Sequence, residues 1–382
     1  MKVLQVINAY SPLFGCGPAD RCQKMAAALV RRGHRVTVFT SAHSWDAEYA
    51  GLAPGVEVVP FPHYGGRFCY TPGMKKALDE RLADFDVVHL MNHWTHQNVL
   101  AYNAARRHRT PFVFSAMGAL PIVYRSFWLK RLYRRLYGGR ILRDARAVIG
   151  ITRRECAQYA AAGVPEARIH YLPNAIDAEE YASPPPPGIF RRRFSIPEGA
   201  PLVLFLGRLA HIKGPDILLD AFAAGSASSP EAVLAFVGPD YGMEAGLKAR
   251  AAKTSWEDRV FFPGPLTGEM KRAAYAEAEV FVVPSRQENM SIVAVEAAAS
   301  GTPVVITDAC GFPEIEECGA GRVVPAEPES LRRAVEGFLK DPGKRAAAGE
   351  KARGMVRDRF TWDRIGRDLE DILAGAVRAS RP

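Results

Sequence analysis

Short apolar runs recur along the chain, separated by longer stretches in which apolar positions follow helical spacing. Such runs are typical of strands buried in a parallel sheet, and strands that alternate with helices predict a doubly wound α/β fold. The first half of the chain contains six runs, at residues 3–7, 36–40, 56–59, 87–90, 112–115 and 147–151. The second half contains six more, at residues 202–206, 233–237, 260–262, 280–283, 304–306 and 322–324. The pattern predicts two Rossmann-like domains.

The pattern is interrupted by Ser183-Pro-Pro-Pro-Pro-Gly188. Four prolines without backbone N–H groups exclude both a helix and a central strand there. A chain of 382 residues also exceeds the usual size of one compact domain. We therefore predict a first domain at residues 1–183, a linker at 184–190 and a second domain at 191–361.

The last segment, residues 362–382, carries a different pattern. Apolar residues return at helical spacing among charged ones, at Ile365, Leu369, Ile372 and Leu373. This spacing predicts an amphipathic helix. It leaves open whether that helix crosses back to the first domain.

Charge is unevenly distributed between the two halves of the chain. The net charge is +9, but residues 1–190 hold 24 Lys and Arg against 14 Asp and Glu, whereas residues 191–382 hold 26 against 27. The entire basic excess therefore lies in the first half. It predicts an anionic partner for that half, whether nucleic acid, a phospholipid surface or a phosphorylated substrate.

Export and membrane signals are missing from the sequence. The apolar run at residues 1–8 is too short for the core of a signal peptide, and no window approaches the roughly 18 consecutive apolar residues of a membrane span. The six cysteines have neither C-x-x-C spacing nor a histidine partner at metal-ligand spacing. We expect a cytoplasmic protein without disulfides or structural zinc.

Glu288 and Glu296 mark the first candidate site. Glu288 ends a loop that follows a predicted strand, and residues 291–299 form a predicted helix that contains Glu296. Loops at the carboxyl ends of parallel strands bind ligands in doubly wound folds. The two glutamates are too far apart to share a proton, so we expect them to bind different hydroxyls of one long ligand. A solvated helix face would explain them equally well.

The start of the same helix is a further candidate. Ser291 or Asn289 is expected to cap it with a side-chain oxygen. The remaining N–H groups near Met290 and Ser291, together with the positive end of the helix dipole, favour an anion. The pattern predicts a phosphate-binding position there.

A second motif follows the predicted strand at residues 202–206, in Gly207-Arg208-Leu-Ala-His-Ile-Lys213-Gly214. Arg208 presents a planar fork of N–H donors, and Lys213 presents a compact positive charge. The pair suits a diphosphate, although a basic surface loop would contain the same residues.

Together the two motifs are more specific than either is alone. Gly-Arg-x-x-x-x-Lys-Gly followed by Glu-x(7)-Glu resembles the donor site of retaining GT-B glycosyltransferases, the nucleotide-sugar-dependent family that includes sucrose synthase and bacterial mannosyltransferases. The resemblance covers most of residues 200–325 and includes Phe262-Pro-Gly264 and Gly311-Phe-Pro-Glu-Ile315. It implies two Rossmann-like domains that face each other across a cleft.

The resemblance also implies a role for each matching residue. Arg208 and Lys213 would neutralise the departing diphosphate, and Glu288 would hold hydroxyls of the transferred sugar. Glu296 would hold the ribose diol, and Gly264 would lie near the nucleobase. The donor nucleotide diphosphate sugar would be a co-substrate, with no cofactor and no metal.

The phosphate-binding loops follow from the same resemblance. Asn289, Met290 and Ser291 would form the loop at the distal phosphate, where the family commonly has Phe-Gly in place of Met290-Ser291. Gly15 and Gly17, after the first strand, would approach the donor phosphates from the first domain. The Met-Ser pair leaves the sugar preference open.

On the acceptor side this chain departs from the family. Family members often have a His-Gly pair after a strand of the first domain, but here Met117 precedes Gly118. Methionine cannot accept a proton, so one sugar contact is lost. We expect Met117, His93 and His96 to line the acceptor side. A surface loop or a structural histidine is the alternative for the two histidines.

Residues 125–146 carry eight basic residues and one acidic residue. A helical projection gives them an apolar stripe, made of Leu129, Leu132, Tyr133, Leu136 and Tyr137. This suits an interfacial helix on anionic lipid, where each basic residue contributes roughly 1 kcal/mol. Packing of the stripe on its own domain explains the pattern equally well. A lipid-linked glycan acceptor fits both arrangements, and no recognised motif supports nucleic acid.

The sequence thus predicts a retaining, metal-independent hexosyltransferase of exopolysaccharide, lipopolysaccharide or cell-wall glycan synthesis, peripheral on the inner face of the plasma membrane. Two alternatives stay open. A nucleotide-sugar epimerase on a similar frame would need no acceptor. A non-catalytic family member would dock on membranes or on partner transferases.

Overall fold

The computed structural model describes residues 1–11, 16–43, 45–65, 70–121, 126–225 and 228–380. The chain forms two compact units, one of Met1–Asn174 with Trp362–Pro382 and the other of Ala175–Thr361. Each unit is built on one parallel sheet whose strands alternate with helices along the chain. The predicted fold class of two doubly wound α/β domains is confirmed.

The first unit contains a seven-stranded sheet in the order β3-β2-β1-β4-β5-β6-β7. Its strands are β1 (Lys2–Val6), β2 (Arg35–Ser41), β3 (Val56–Phe61), β4 (Val87–Met91), β5 (Phe112–Ser115), β6 (Ala147–Gly150) and β7 (Ile169–Tyr171). Its described helices are α1 (Cys16–Arg31), α2 (Ala47–Gly51), α3 (Pro72–Arg81), α4 (His96–His108), α5 (Phe127–Tyr133), α6 (Gly139–Asp144), α7 (Arg153–Ala161) and α16 (Trp362–Arg378).

The second unit contains a six-stranded sheet in the order β10-β9-β8-β11-β12-β13. Its strands are β8 (Leu202–Leu206), β9 (Val233–Val237), β10 (Val260–Gly264), β11 (Val280–Val283), β12 (Val304–Thr307) and β13 (Gly321–Val324). Its described helices are α8 (Ile189–Phe194), α9 (Pro215–Gly225), α10 (Glu244–Ala251), α11 (Gly268–Ala276), α12 (Ile292–Ala299), α13 (Glu314–Glu317), α14 (Pro328–Leu339) and α15 (Pro342–Arg359).

Strand β8 lies where the strand order of the second sheet reverses. It pairs with β9 on one side, with Leu202 opposite Val233, and with β11 on the other, with Val203 opposite Val280. Strands β9 and β11 are buried along their whole length, which explains their uninterrupted apolar runs. The loops after β8 and β11 therefore lie side by side at the carboxyl edge, where doubly wound sheets bind ligands.

The division between the units falls earlier than the linker that we predicted at 184–190. The N–H group of Ile176 donates to the carbonyl oxygen of Phe360 at 3.0 Å, and the hydroxyl of Tyr181 hydrogen bonds with Glu296. These contacts attach residues 175–183 to the second unit rather than to the first. The proline-rich stretch is thus part of the second unit.

Helix α16 belongs to the first unit and packs on α1. Of its predicted apolar stripe, Ile365, Leu369 and Leu373 are buried and Ile372 is partly buried. A Cβ atom at Gly366 would lie 3.0 Å from the Cβ atom of Ala28, so the two helices approach closely. Nε of Arg32 also donates to Oε2 of Glu370 at 2.5 Å.

Candidate functional site

The loop after β8 carries Arg208 and Lys213. It ends in a short 3-10 turn, His211–Lys213, followed by Gly214 in the left-handed conformation at φ 67°. A Cβ atom at Gly214 would lie 2.0 Å from the carbonyl oxygen of Pro284, so this approach requires glycine. The loop after β8 therefore contacts the loop after β11 directly.

Arg286 joins the same two loops. Its guanidinium donates to both carboxylate oxygens of Asp216, at 2.8 and 2.6 Å, and to the carbonyl oxygen of His211 at 2.7 Å. Its backbone N–H donates to the carbonyl oxygen of Ile212 at 2.9 Å. Burial acts to raise the pKa of Asp216, but the hydrogen bonds and charge of Arg286 outweigh it and hold that pKa below its ordinary value.

Lys213 and Glu288 meet at this junction. Nζ of Lys213 donates to Oε2 of Glu288, and both side chains are about four-fifths buried, with 20% and 19% of their surface exposed. Oε1 of Glu288 accepts from the N–H of Asn289 at 3.1 Å, and the N–H of Glu288 donates to the carbonyl oxygen of Ala309 at 3.2 Å. The structure thus brings together two of the three residues predicted as catalytic.

Arg208, the third, lies on the same loop but is exposed. Its guanidinium carbon lies 5.3 Å from the centre of the Tyr241 ring. Gly264 ends β10, and its carbonyl oxygen accepts from the N–H of Gly238 at 2.9 Å. Both residues therefore lie at the carboxyl edge of the second sheet.

Helix α12 begins at Ile292, with Ser291 at the N-cap position. The predicted side-chain cap is absent, because neither Ser291 nor Asn289 bonds a backbone N–H of the helix from its side chain. Ser291 is 2% exposed, and its hydroxyl finds no partner among the described residues. Met290 is also buried. The start of the helix thus presents a buried hydroxyl beside N–H groups that the helix leaves unpaired.

Glu296 is buried within α12 rather than solvated. Its Oε1 accepts from Nζ of Lys271 at 2.7 Å, and its Oε2 accepts from the hydroxyl of Tyr275 at 2.7 Å. Burial, and next the charge of Glu296, raise the pKa of Tyr275 well above its ordinary value, so the hydroxyl remains a donor. The alternative of a solvated helix face is wrong for this residue.

Five partners in this site were missed by the sequence reasoning: Asp216, Arg286, Lys271, Tyr275 and Tyr181. Lys271 and Tyr275 stand four residues apart on α11, a spacing that places them on one helix face. That spacing was a usable signal. Asp216 and Arg286 lie 70 residues apart, and nothing in the sequence pairs them.

The glycine loop of the first unit is only partly described. Gly15 lies outside the described residues. Gly17 is exposed in the first turn of α1, and a Cβ atom there would meet nothing within 4 Å. Asn8, at the start of this loop, accepts a hydrogen bond through its side chain from that of Asn92.

His93 lies in an aromatic enclosure after β4. Its ring centre is 4.2 Å from that of Trp94, 5.3 Å from that of Phe114 and 5.4 Å from that of Tyr133. Burial lowers the pKa of His93 to about 3, so the ring is neutral at physiological pH. These contacts favour the structural alternative for this residue.

His96 and Met117 occupy different positions in the first unit. His96 begins α4 half-buried, and its Nδ1 accepts from the N–H of Thr71 at 3.2 Å. Met117 is buried in the left-handed conformation at φ 55°. The N–H of the next residue, Gly118, donates to Oε1 of the buried Glu155 at 2.7 Å. Their place on the acceptor side stays a prediction.

Helices α5 and α6 are joined by a π-helical turn, Arg134–Gly138. Its wider turn breaks the regular spacing that we projected from the sequence. Tyr133 and Tyr137 are partly buried, whereas the leucines of the predicted stripe are exposed. The exposed apolar residues are Phe127, Trp128, Leu129, Leu132 and Leu136.

In the part of the chain that the structure describes, no group of three or more His, Cys, Asp or Glu side chains is arranged to hold a metal ion. No described helix is both long and apolar enough to span a membrane.

Two family profiles match consecutive parts of the chain. The family described as Glycosyl transferases group 1 matches residues 188–355, and the Glycosyl transferase 4-like domain matches residues 16–175. The fold superposes with a TM-score of 0.81 on HepE of Anabaena, crystallised in complex with UDP. That likeness covers 98% of this chain and 100% of HepE at 21% identity. The chain belongs to the GT-B glycosyltransferases.

Relatives of this glycosyltransferase are named for sugar transfer. A D-inositol 3-phosphate glycosyltransferase of Xylanimonas cellulosilytica is 28% identical over 386 residues, which cover 93% of this chain and 90% of that protein. A GDP-mannose-dependent alpha-(1-6)-phosphatidylinositol monomannoside mannosyltransferase of Mycolicibacterium smegmatis is 31% identical over 250 residues, 63% of this chain and 65% of that protein. The prediction of a GT-B glycosyltransferase is confirmed.

Proposed function

We propose that this glycosyltransferase moves a sugar from a nucleotide diphosphate sugar to an acceptor hydroxyl with retention of anomeric configuration. The observation that carries the proposal is the pairing of Lys213 with Glu288 between the loops after β8 and β11. The ammonium group of Lys213 suits a diphosphate, and the carboxylate of Glu288 suits sugar hydroxyls. Side by side, the two would bind the same donor molecule. The complex of HepE with UDP supports a nucleotide sugar as that donor.

Lys213 and Arg208 would stabilise the leaving group. An ammonium group has three N–H donors, so Lys213 can bind Glu288 and a phosphate oxygen at the same time. Arg208 adds a second cation on the same loop. Cations held in place where negative charge develops lower the barrier to its departure. We infer that neither a metal ion nor a cofactor is required.

The acceptor hydroxyl would attack the anomeric carbon on the face from which the nucleotide leaves. The bond from this carbon to the acceptor oxygen forms as its bond to the phosphate oxygen breaks. The departing diphosphate takes the acceptor proton, so retention needs no glycosyl-enzyme intermediate. Glu288 would orient the sugar, and Glu296, fixed by Lys271 and Tyr275, would bind the ribose diol.

The start of α12 would bind the distal phosphate. The backbone of Asn289, Met290 and Ser291 leads into the helix, whose dipole favours an anion. The buried hydroxyl of Ser291 supports this role, because a phosphate oxygen would supply the acceptor that it otherwise lacks.

We further propose a lipid-linked glycan acceptor on an anionic membrane surface, in polysaccharide or cell-wall glycan synthesis. The exposed side chains of Trp128 and Leu129 support this, with 76% and 68% of their surface exposed beside Arg131 and Arg135. An apolar ridge flanked by basic residues suits the interfacial region of a bilayer. The phosphatidylinositol acceptor in the name of the Mycolicibacterium relative also supports it.

The test compares Lys213→Ala and Glu288→Ala with the wild type in a transfer assay on UDP-, GDP- and ADP-sugars. Removing a transition-state contact of this kind costs about 10²–10³ in kcat. Lys340→Ala is the matched control, because it removes an exposed lysine that pairs with Glu336 in the same unit. Chelator should leave the rate unchanged, and proton NMR of the product should show the anomeric configuration of the donor.

The outcomes separate the alternatives. A free epimerised sugar formed without acceptor would identify an epimerase instead. Activity that survives Lys213→Ala and Glu288→Ala would overturn the assignment of the site. A wild-type protein whose melting temperature no nucleotide sugar raises would contradict nucleotide binding altogether.

A further inference from the structure

A cleft opens at the amino edge of the sheet in the first unit, where the strands begin. It is lined by the segments that lead into β5 and β6 and by Ser380, just beyond the end of α16. Its volume of about 490 Å³ lies within the range of roughly 300–1,000 Å³ that is typical of ligand pockets. Ligands of doubly wound folds bind at the opposite, carboxyl edge, so the transfer reaction does not account for this cleft.

Three arginines line the cleft: Arg106, Arg109 and Arg146. All three are exposed. Arg106 lies in the last turn of α4 and Arg109 directly follows that helix, whereas Arg146 comes from the segment before β6. Asp144 is the one acidic residue in the described lining. Because three positive charges face a single negative one, the cleft attracts anions.

The carboxylate of Asp144 is already bound by other side chains. Its Oδ2 accepts from the hydroxyl of Tyr102 at 2.7 Å, and its Oδ1 accepts from Nε of Arg143 at 3.3 Å. Burial, and next the hydrogen bond to Asp144, raise the pKa of Tyr102, so this hydroxyl remains a donor. Asp144 therefore pairs with Arg143, which does not line the cleft, and leaves the charge of the cleft uncompensated.

Arg109 and Arg146 differ from a neighbouring arginine in their contacts. Arg107 forms an ion pair with Asp79, but neither Arg109 nor Arg146 forms a side-chain hydrogen bond or ion pair with any residue that the structure describes. Each guanidinium group carries five N–H donors. These donors are therefore available to a ligand in the cleft.

The backbone at Arg109 is a place where the fold itself favours another residue. Arg109 is the C-cap of α4 and takes the left-handed conformation at φ 57°, which glycine adopts without strain. The helix dipole favours a cation at this end of α4, but Arg146 lies on a different element and gains nothing from it. The stability of the helix end therefore does not account for the set of three arginines.

We propose that this cleft binds the phosphate group of a ligand that takes no part in sugar transfer. Guanidinium groups bind phosphate oxygens through paired N–H donors, and here they approach from two different elements. The hydroxyl of Thr110, which lines the same cleft, adds a neutral donor. A bound phosphate also offsets the repulsion among the three cations. Soluble phosphate esters and phospholipid headgroups both carry this group.

The experiment titrates pyrophosphate into the full-length protein by calorimetry. Arg208→Ala/Lys213→Ala serves as the background, because it removes the proposed donor contacts of the second unit. We expect this protein to retain one pyrophosphate site. Adding Arg109→Gln/Arg146→Gln should weaken that site about tenfold or more, because hydrogen bonds from charged groups to the phosphate are lost.

Arg35→Gln/Arg367→Gln is the matched control, because it removes two exposed arginines from the same unit and should leave pyrophosphate binding unchanged. Arg109→Gly separates binding from folding. Glycine suits the left-handed conformation, so the melting temperature should not fall, whereas the affinity for pyrophosphate should.

Three results would overturn the proposal. The first is a background protein that binds no pyrophosphate, and the second is an equal loss of affinity in the control pair. The third is a lower melting temperature of Arg109→Gly, because the arginine would then serve the fold.

Sedimentation with phosphatidylcholine vesicles, with and without phosphatidic acid, distinguishes the two sources of phosphate. If Arg109→Gln/Arg146→Gln weakens both pyrophosphate binding and binding to the phosphatidic acid vesicles, the ligand is a lipid headgroup. If it weakens pyrophosphate binding alone, the ligand is a soluble phosphate ester. Vesicle binding that the control pair reduces equally, without a pyrophosphate site, would show only the general attraction of a basic surface and would contradict the cleft.

Discussion

Arg286 and Asp216 form a half-buried pair that fixes the loop of Lys213, with 31% and 22% of their side chains exposed. We expect Asp216→Asn to lower the free energy of unfolding by about 1 kcal/mol at pH 7. Because the pKa of Asp216 is depressed in the folded protein, its contribution is complete above the ordinary carboxyl range. It is lost as the pH falls through the lower, folded pKa.

Urea unfolding of both proteins between pH 3 and 7 tests this expectation. The difference between wild type and Asp216→Asn should be constant near neutrality and should shrink below about pH 4. A difference that persists unchanged at pH 3 would show that the pair contributes through packing and not through charge.

The neutral ring of His93 gives a pH dependence in the same direction as that of Asp216, but in a higher pH range. The pKa of His93 is about 3 in the folded protein, against an ordinary value of 6.5. Between these two pH values the unfolded chain therefore binds a proton that the folded protein does not bind. Stability should therefore fall as the pH drops below 6.5, by up to about 1.4 kcal/mol per unit from this residue. His93→Phe preserves the aromatic contacts and should show a shallower loss in urea unfolding between pH 6.5 and 4.5.

His108→Gln, at an exposed position, is the control for His93→Phe. His93→Phe also decides between a substrate contact and a structural role for His93. Full transfer activity in His93→Phe would support the structural role, and a loss of activity at unchanged stability would support a substrate contact.

At the scale of single elements, α5 exposes the apolar side chains of Phe127, Trp128, Leu129 and Leu132. Packing within the first unit does not account for them. We expect Leu129→Ser to weaken binding to vesicles that contain phosphatidylserine about tenfold, because a buried leucine contributes roughly 1.5–3 kcal/mol. Vesicle sedimentation measures the effect. Leu52→Ser is the matched control, since Leu52 is 67% exposed elsewhere in the same unit. Equal binding by both variants would exclude α5 as the membrane contact.

Elements were predictable where a local pattern determines them. Strands β9 and β11 are buried throughout, so each gives an unbroken apolar run. Strand β7 was missed because it has three residues and all are only partly buried. The π-helical turn at 134–138 was also missed, since an inserted residue changes no composition and only shifts the phase of the helix.

The residues of the candidate site likewise divide into those that a local motif predicts and those that only the tertiary fold brings together. Glu288 and Lys213 stand in short motifs at strand ends, so the sequence and the family resemblance both mark them. The ion pair of Arg286 and Asp216 depends on how two loops, 70 residues apart in the sequence, fold against each other. Such a contact follows from the tertiary fold, so no local spacing in the sequence predicts it.

At the scale of the molecule, α16 completes the core of the first unit. Deleting residues 362–382 would expose the face of α1 that packs on α16, and we expect the first unit to lose its protection against proteolysis. Leu369→Ala alone should cost about 2–5 kcal/mol, since this side chain is fully buried. Mass spectrometry of limited digests should show cleavage within residues 1–174 and protection of 175–361. Equal protection of both units would contradict this dependence.

The position of α16 also determines when the first unit can finish folding on the ribosome. Its residues 1–174 emerge first, but the helix that covers α1 is translated only after all of Ala175–Thr361. At about 5–20 residues per second, that interval lasts roughly ten to forty seconds. The second unit is contiguous and can close during that time, which reverses the usual order in which the N-terminal domain folds first. The face of α1 that α16 covers therefore stays exposed on the nascent chain during that interval.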